Sequence, residues 1–224
     1  MYTYAFAIPT GFDRPEGMIE QVKTIGNERL VAIVEPGVSF ETLETDDQLL
    51  IRAALTHDRV ICDLFRQITV LPLRFGTRFI SEEGLRTHLE QNADQYLAKL
   101  EKLNGKAEYT LKFIPHPLSS MPDTERTEET NQKGKQYFLA KKQQYQARAE
   151  QQATQQAQWQ AVIEKADSLY PVIPGQAQEG FERIHLLAER VGEVSLLPQI
   201  QQWQEQCTQG TLKLDGALPP YHFA

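Results

Sequence analysis

The second half of the chain switches repeatedly between two hydrophobic periods, and the order of these switches limits its fold more than any other feature. Alternating apolar residues predict strands, and apolar residues at helical spacing predict helices. The predicted elements are a strand at 107 to 114, a helix from about 134 to 167, strands in SLYPVIP and FERIHLLAE, a helix at 196 to 207, and a strand in TLKLDG. This order, strand, helix, strand, strand, helix, strand, is that of a ferredoxin-like domain, βαββαβ.

The first half carries its own set of strands and helices. In YTYAFAI, residues 2 to 8, every second side chain is large and apolar, which predicts a strand with one strongly apolar face. Residues 28 to 34, ERLVAIV, are apolar on both faces and predict a central strand. From Asp46 to Arg66 apolar residues recur at helical spacing behind two aspartates, which predicts an amphipathic helix.

Residues 69 to 79, TVLPLRFGTRF, predict a further strand that is interrupted by a proline and a glycine. One face of this strand is apolar, and the opposite face carries Arg74 and Arg78, which four residues of extended chain place about 13 Å apart. Pro72 has no N–H to donate to a ladder, so the strand is predicted to lie at an edge or to contain a bulge. An exposed edge can recruit another chain.

These elements predict an α+β protein of two domains. Ser81 is predicted to cap a helix that ends at Asn104 and Gly105, and the division is placed there, giving domains at 1–104 and 105–224. Residues 115 to 131 are rich in proline, serine and charge and are predicted to be exposed and mobile. The helix that follows is unusually polar, with nine glutamines in residues 141 to 160, which indicates a solvated helix or one that awaits a partner.

Composition narrows the class of partner and the compartment. The chain has 224 residues and a formal net charge of −7, which argues against nucleic acid or an anionic membrane as the main partner. Cys62 and Cys207 have no metal-type spacing and indicate a reducing compartment. The first residues lack the basic start of a signal peptide, and no run reaches the roughly 20 apolar residues of a membrane span. We therefore expect a cytoplasmic protein.

The sequence offers little for catalysis. Phosphate-loop, dinucleotide-binding, nucleophile-elbow and paired-histidine metal motifs are absent from the sequence, and the five histidines are scattered. His57 and Cys62 lie about 140° apart around their predicted helix, so they do not form a nucleophile and base pair within it. We interpret His57 as a half-buried histidine whose nitrogens are satisfied locally, and we expect a protein that is not an enzyme and needs no cofactor or metal.

Arg74 and Arg78 and the C-terminal tail each allow two interpretations. The arginines suit a groove or a partner surface, or else they are solvated or ion-paired strand positions. The tail, GALPPYHFA, either folds back over its own domain with Tyr221 and Phe223 as anchors or binds a partner. The sequence alone leaves both questions open.

Three stretches, in order along nearly the whole chain, resemble the gas vesicle protein L/F family. They are TVLPLRFGT at 69 to 77 with THDRVICDLF before it, GKQYFLAKK at 134 to 142, and LPPYHF at 218 to 223. The chain departs from the family pattern at Asp58, where a glutamate is usual, and at Ala217-Leu218, where a proline-tryptophan pair is usual. The resemblance implies two α+β domains, the second ferredoxin-like.

The resemblance also implies a non-enzymatic accessory or minor structural protein of gas vesicles, located in the cytoplasm and the vesicle. Its expected partners are the small hydrophobic shell protein and other gas vesicle accessory proteins, with no nucleic acid and no membrane. The interaction candidates are Arg74, Arg78, Leu218, Pro219, Pro220, Tyr221 and Phe223, together with the polar helix at 141 to 160. The alternative is a ferredoxin-like regulatory module that binds a small anionic ligand, which requires Arg74 and Arg78 to converge on a pocket.

Overall fold

The computed structural model describes residues 1–39, 46–118, 131–176, 178, 180–190 and 193–224, with only the backbone described at 131–137 and 193–195. The described chain is a mixed α/β protein. It divides into two compact units: the first comprises Met1–Glu108, Leu187–Val191 and Ala217–Ala224, and the second comprises Tyr109–Leu186 and Gly192–Gly216. The domain boundary predicted at residue 104 stays a prediction.

Eight strands and four helices are present among the described residues. In chain order they are β1 Tyr2–Ala7, β2 Lys23–Gly26, β3 Val31–Glu35, α1 Asp47–Phe65, β4 Val70–Pro72, α2 Glu82–Leu103, β5 Lys106–Pro115, α3 Asn131–Asp167, β6 Val172–Pro174, β7 Glu182–Glu189, α4 Glu193–Gln206 and β8 Gly210–Leu214. Most elements predicted from the sequence are therefore confirmed, whereas the short strand β2 was not predicted. The predicted loop at 115 to 131 falls mostly outside the described residues.

The sheet of the first unit has the order β2-β3-β1-β4. Its pairs β1–β3, β1–β4 and β2–β3 are antiparallel. The helix α1 packs against β1 and β4, and α2 packs against β2 and β4. Asp46 caps α1 by accepting a hydrogen bond from the amide of Gln48, and Ser81 caps α2 by accepting one from Gly84. Both caps satisfy amides that the first helical turn leaves without a partner.

The strand β1 departs from the single apolar face that the sequence predicts. All six of its residues are buried, and its register with β3 shifts between Thr3 and Ala5. Such a shift changes which way the following side chains point. As a result Tyr4 stacks on His57 of α1, at 5.4 Å between ring centroids, while Phe6 contacts Tyr96 of α2 at 4.8 Å. The prediction of a single apolar face fails because β1 is an interior strand with both faces covered.

The strand predicted at 69 to 79 is also shorter than expected. β4 ends at Pro72, and residues 74 to 77 form a turn in which the amide of Thr77 donates to the Arg74 carbonyl at 3.1 Å. Gly76 has φ of +86°, a left-handed conformation that glycine adopts without a steric penalty. The expectation that Arg74 and Arg78 share one face of an extended strand is therefore wrong. The expectation of an edge position is confirmed, because β4 is the last strand of its sheet.

The sheet of the second unit has the order β6-β7-β5-β8. The pairs β5–β8 and β6–β7 are antiparallel. In its core the Phe113 ring of β5 stacks on Trp159 of α3, with 5.4 Å between centroids and 10° between planes. Val162 and Ala166 of α3 and Trp203 of α4 are buried in the same unit. Only the C-terminal part of α3 therefore contributes buried apolar side chains to this core among the described residues.

Candidate functional site

The candidate residues of the first unit lie in two segments, and the first segment is a three-residue interruption of the sheet edge. The Leu73 amide donates to the Tyr4 carbonyl at 2.9 Å, and the next contact along the ladder is from the Thr3 amide to the Thr77 carbonyl at 3.0 Å. Arg74, Phe75 and Gly76 therefore loop out of a ladder that resumes beyond them. We call these three residues the edge bulge.

A buried histidine holds the edge bulge in place. The Nε2 of His57 donates to the Leu73 carbonyl at 3.0 Å, and its Nδ1 accepts from the Tyr2 hydroxyl at 2.7 Å. The same hydroxyl accepts from the Gly76 amide at 3.3 Å, so the network reaches both sides of the bulge. The Phe75 ring lies against His57, at 5.7 Å between centroids. This geometry confirms the interpretation that the histidine nitrogens are satisfied locally, although His57 is buried rather than half-buried.

The protonation states of this network follow from burial. Burial lowers the pKa of His57, although the Leu73 carbonyl and the Asp58 carboxylate act in the opposite direction. Burial raises the pKa of Tyr2 to about 12, so its hydroxyl stays protonated at neutral pH. A neutral imidazole with the proton on Nε2 satisfies all three hydrogen bonds. The network thus acts as a structural clamp on the edge bulge.

Both candidate arginines lie on the exposed surface of this edge. Arg74 belongs to the edge bulge, and Arg78 forms an isolated backbone bridge with Tyr2 after it. The Leu73 amide donates to β1, and backbone nitrogens alternate in direction along a strand. The nitrogen of Pro72, which carries no hydrogen, therefore points away from the sheet. The outer edge is therefore poor at templating another strand, and the arginine side chains are the groups that it presents to a partner.

The second segment, residues 217 to 224, belongs to the first unit and not to the sheet that precedes it in sequence. Leu218 and Glu108 exchange backbone hydrogen bonds of 2.9 and 3.0 Å. The buried Glu108 carboxylate also accepts from the His222 amide at 2.8 Å and lies 2.6 Å from its Nδ1. The tail is thus folded back onto the first unit, which differs from the predicted fold-back over its own domain at 105–224.

Tyr221 ties this tail to the helix that clamps the edge bulge. Its hydroxyl donates to the Asp58 carboxylate at 2.5 Å and contacts the Cys62 thiol. Burial and the hydrogen bond to Asp58 raise the pKa of Tyr221, and burial together with Asp58 raises the pKa of Cys62. His57 and Asp58 are adjacent in α1, so consecutive residues of one turn hold the bulge and the tail.

The remaining candidates of the tail differ in exposure. Pro219 and Pro220 are buried, whereas Leu218 is exposed. Phe223 is half-buried and packs against the hydrophobic cluster of the first unit, which Phe79 also contacts. Leu218 is therefore the large apolar side chain of this segment that a partner can reach without moving the tail.

A cleft of about 790 Å³ lies within the first unit, between the start of β4 and the end of α2. Pro220 forms part of its wall, together with Phe65, Leu97 and Leu100. The Arg190 guanidinium lies over the Phe65 ring, 4.4 Å from its centroid, and Lys106 adds a second cation. Neither Arg74 nor Arg78 lines this cleft, so it gives no support to an anionic ligand held by those two residues.

Sequence reasoning missed a buried carboxylate at the end of β3. Glu35 is inaccessible to solvent and accepts hydrogen bonds from the amides of Met18, Ile19 and Glu20 and from the Tyr4 hydroxyl. Gly17 is required beside it, because a Cβ there would overlap the carboxylate. These contacts fix the loop before β2. The available signal was a single acidic residue at the end of a strand that is otherwise apolar on both faces.

The fold and this site define a class: a mixed α/β protein with two antiparallel sheets, whose last residues return to the first unit. The family model described as gas vesicle synthesis protein GvpL/GvpF matches residues 1–224. The chain therefore belongs to the gas vesicle protein L/F family, as the resemblance predicts.

Individual proteins agree with this assignment. Gas vesicle protein L of Streptomyces sp. (strain CB03234) is 30% identical over 135 residues, which cover 54% of this chain and 51% of that protein. The match thus spans about half the length of this curated relative. The crystal structure of GvpF from Anabaena sp. PCC7120 has a TM-score of 0.69 at 16% identity, covering 100% of this chain and 94% of that one. The crystal structure of GvpF from Microcystis aeruginosa has a TM-score of 0.64 at 16% identity, covering 99% of this chain and 97% of that one. At this identity the structures show the fold alone.

Proposed function

We propose that this protein is a non-enzymatic accessory or minor structural protein that takes part in gas vesicle assembly by binding the small hydrophobic shell subunit. The observation that carries the proposal is the family match over residues 1–224. The described histidine, tyrosine and carboxylate clusters of the first unit are consistent with it, because each holds backbone segments together. The proposed location is the cytoplasm and the gas vesicle, and other gas vesicle proteins are further proposed partners.

The division of labour between such a protein and the shell has a physical basis. A wall that keeps liquid water from its gas side needs a continuous apolar surface. This chain has a mean hydropathy of −0.46 and a net charge of −7, so it cannot tile that surface alone. A soluble protein that covers the apolar face or strand edge of the shell subunit before incorporation would limit aggregation of that subunit.

The proposed contact surface consists of Arg74 and Arg78 at the sheet edge, with Leu218 as an apolar contact on the tail. The edge bulge is fixed by the His57 and Tyr2 network, so Arg74 is displayed from a rigid backbone and binding orders less of the chain. Arginine forks match carboxylates in two-point contacts. We therefore infer that the shell subunit meets this edge through acidic side chains beside an apolar segment.

The second unit is proposed to be a ferredoxin-like domain. The strand order β6-β7-β5-β8 and the interleaved helices α3 and α4 support this assignment. In this proposal the domain is a scaffold, and the contact with the shell subunit is made by the first unit.

The experiment is co-expression of the tagged protein with the shell subunit, followed by capture. We expect the shell subunit to remain soluble and to be captured. Arg74→Glu/Arg78→Glu should reduce capture by roughly tenfold, since reversing both charges turns attraction into repulsion. Arg14→Glu/Arg52→Glu changes the net charge equally at two other exposed arginines and should leave capture unchanged. Absence of capture while the shell subunit stays soluble would overturn the proposal.

A further inference from the structure

One side of α3 is buried near the C-terminal end of the helix and exposed nearer the N-terminal end. Trp159 is 3% exposed and stacks on Phe113, whereas Tyr145 is 63% exposed and Phe138 is 67% exposed. Tyr145 and Phe138 precede Trp159 by two and three heptads, so a straight helix places them only about 40° and 60° from it around the helix axis. Exposed rings that continue a buried side of a glutamine-rich helix indicate a contact face.

The two exposed rings border a shallow groove of about 400 Å³. Its lining residues, which we call the aromatic face, are Phe138, Lys141, Lys142, Tyr145, Gln146 and Ala149. When two helices pack, a side chain of one enters a hole between four residues of the other, at positions i, i+3, i+4 and i+7. The aromatic face contains two such holes in succession, at 138, 141, 142 and 145 and at 142, 145, 146 and 149. Its shape therefore suits a facing helix.

The aromatic face is basic in an acidic protein. Residues 138 to 149 contain Lys141, Lys142 and Arg148 and no aspartate or glutamate, whereas the whole chain has a net charge of −7. Lys142 and Arg148 lie three residues before and after Tyr145, which places them about 60° to either side of it around the helix axis. Both are exposed. Charges that flank the apolar seam of two packed helices pair with opposite charges on the facing helix, so a helix bound here should be acidic.

We propose that the aromatic face binds an acidic amphipathic helix of a different protein. Apolar side chains of that helix enter the two holes, and its carboxylates meet Lys142 and Arg148. A second copy of this face offers no carboxylate to these cations, because residues 138 to 149 contain none. The aromatic face belongs to the second unit, so the inference goes beyond shell binding at Arg74 and Arg78 and does not depend on it.

The experiment uses a synthetic peptide of about 21 residues, three heptads with leucines in the apolar seam and glutamates beside it. Its binding to the full chain is measured by fluorescence anisotropy, and a peptide with lysine in place of every glutamate is the control probe. We expect the acidic peptide to have a dissociation constant at least about tenfold lower than that of the basic peptide. Tyr145→Ala and Lys142→Glu should each raise the dissociation constant of the acidic peptide by roughly tenfold.

Two variants serve as matched controls. Leu139→Ala truncates another exposed apolar side chain of α3, about 120° around the helix from Tyr145, and should leave binding of the acidic peptide unchanged. Lys102→Glu reverses an exposed lysine of α2 and should also leave it unchanged. Alanine favours helix formation, so α3 should persist in both alanine variants.

Several results would overturn the proposal. They are absence of acidic-peptide binding up to about 1 mM, equal binding of the two peptides, and binding that Tyr145→Ala leaves unchanged. If phosphatidylserine vesicles bound the wild type but not Tyr145→Ala, and the acidic peptide did not bind, the face would be a membrane-binding surface instead. A dimer in solution that Tyr145→Ala dissociates would assign the face to a second copy. Capture of the shell subunit should be equal for Tyr145→Ala and the wild type, so this inference and the proposed function can fail separately.

Discussion

Two buried polar side chains fix the loops of the first unit. His57 joins the Leu73 carbonyl to the Tyr2 hydroxyl, and Glu35 gathers three consecutive amides and the Tyr4 hydroxyl. Each would be costly to bury without those partners. The position of His57 on the inner face of its helix was predictable from helical spacing. The hydrogen bonds from three amides to Glu35 were not predictable. They depend on the path of the loop at residues 18 to 20, and a loop has no hydrophobic periodicity in the sequence.

The lowered pKa of His57 predicts a pH dependence of stability. Since the native pKa lies below the ordinary value of 6.5, the unfolded chain binds more protons than the native chain between the two values. The free energy of unfolding should therefore fall as the pH drops below about 6.5 and level off below the native pKa. Denaturant unfolding of wild type and His57→Gln from pH 7.5 to 5 measures this effect. The variant should lose less stability on acidification.

His116→Gln provides the matched control, because His116 is an exposed histidine. Its profile should follow that of the wild type. If His57→Gln and the wild type lost equal stability over this range, the neutral and buried imidazole would not be the group responsible.

Among the elements, the helices α1 and α2 were the most predictable, because their caps and apolar spacing are local signals. The edge was predictable in part. Pro72 indicated an edge or a bulge, and β4 is an edge strand, but the three-residue length of the bulge depends on contacts with His57 and with Tyr2, which lies 74 residues from Gly76. For the same reason the tail could not be placed: its contacts with Glu108 and Asp58 cross more than a hundred residues.

Docking of the tail on α1 makes a prediction for Cys62. The Tyr221 side chain contacts and shields this thiol, so Tyr221→Ala should increase its rate of modification by a disulfide reagent by roughly threefold, and truncation after Ala217 should increase it further. The exposed Tyr145→Ala serves as the control. Cys207 is buried in the second unit and should react slowly in all four chains. A truncated chain that reacts at the wild-type rate would show that the tail does not cover Cys62.

The start of β8 makes a prediction for packing. A Cβ on Gly210 would overlap the Phe113 ring, which cannot retreat because it is buried and stacked on Trp159. Gly210→Ala should therefore reduce the free energy of unfolding by about 1–3 kcal/mol. Gly216→Ala, where a Cβ meets nothing within 4 Å, should change it by less than about 0.5 kcal/mol. Urea unfolding measures both, and equal stabilities would contradict the described packing of β8.

At the scale of the whole molecule, the order of elements and the family were predictable from the sequence, whereas the assignment of the last residues to the first unit was not. The two units are defined by contacts between residues. A single boundary in the sequence cannot describe them, because residues 217–224 at the end of the chain belong to the first unit. Among the described residues, no helix is both long and apolar enough to cross a membrane.

Hydrogen exchange of the full chain, with and without the shell subunit, tests this account most directly. If the sheet edge is the contact surface, saturating shell subunit should slow amide exchange in peptides covering residues 73 to 80, and this protection should be lost in Arg74→Glu/Arg78→Glu but kept in Arg14→Glu/Arg52→Glu. Protection that leaves residues 73 to 80 unchanged while appearing only in the second unit would contradict the proposed surface.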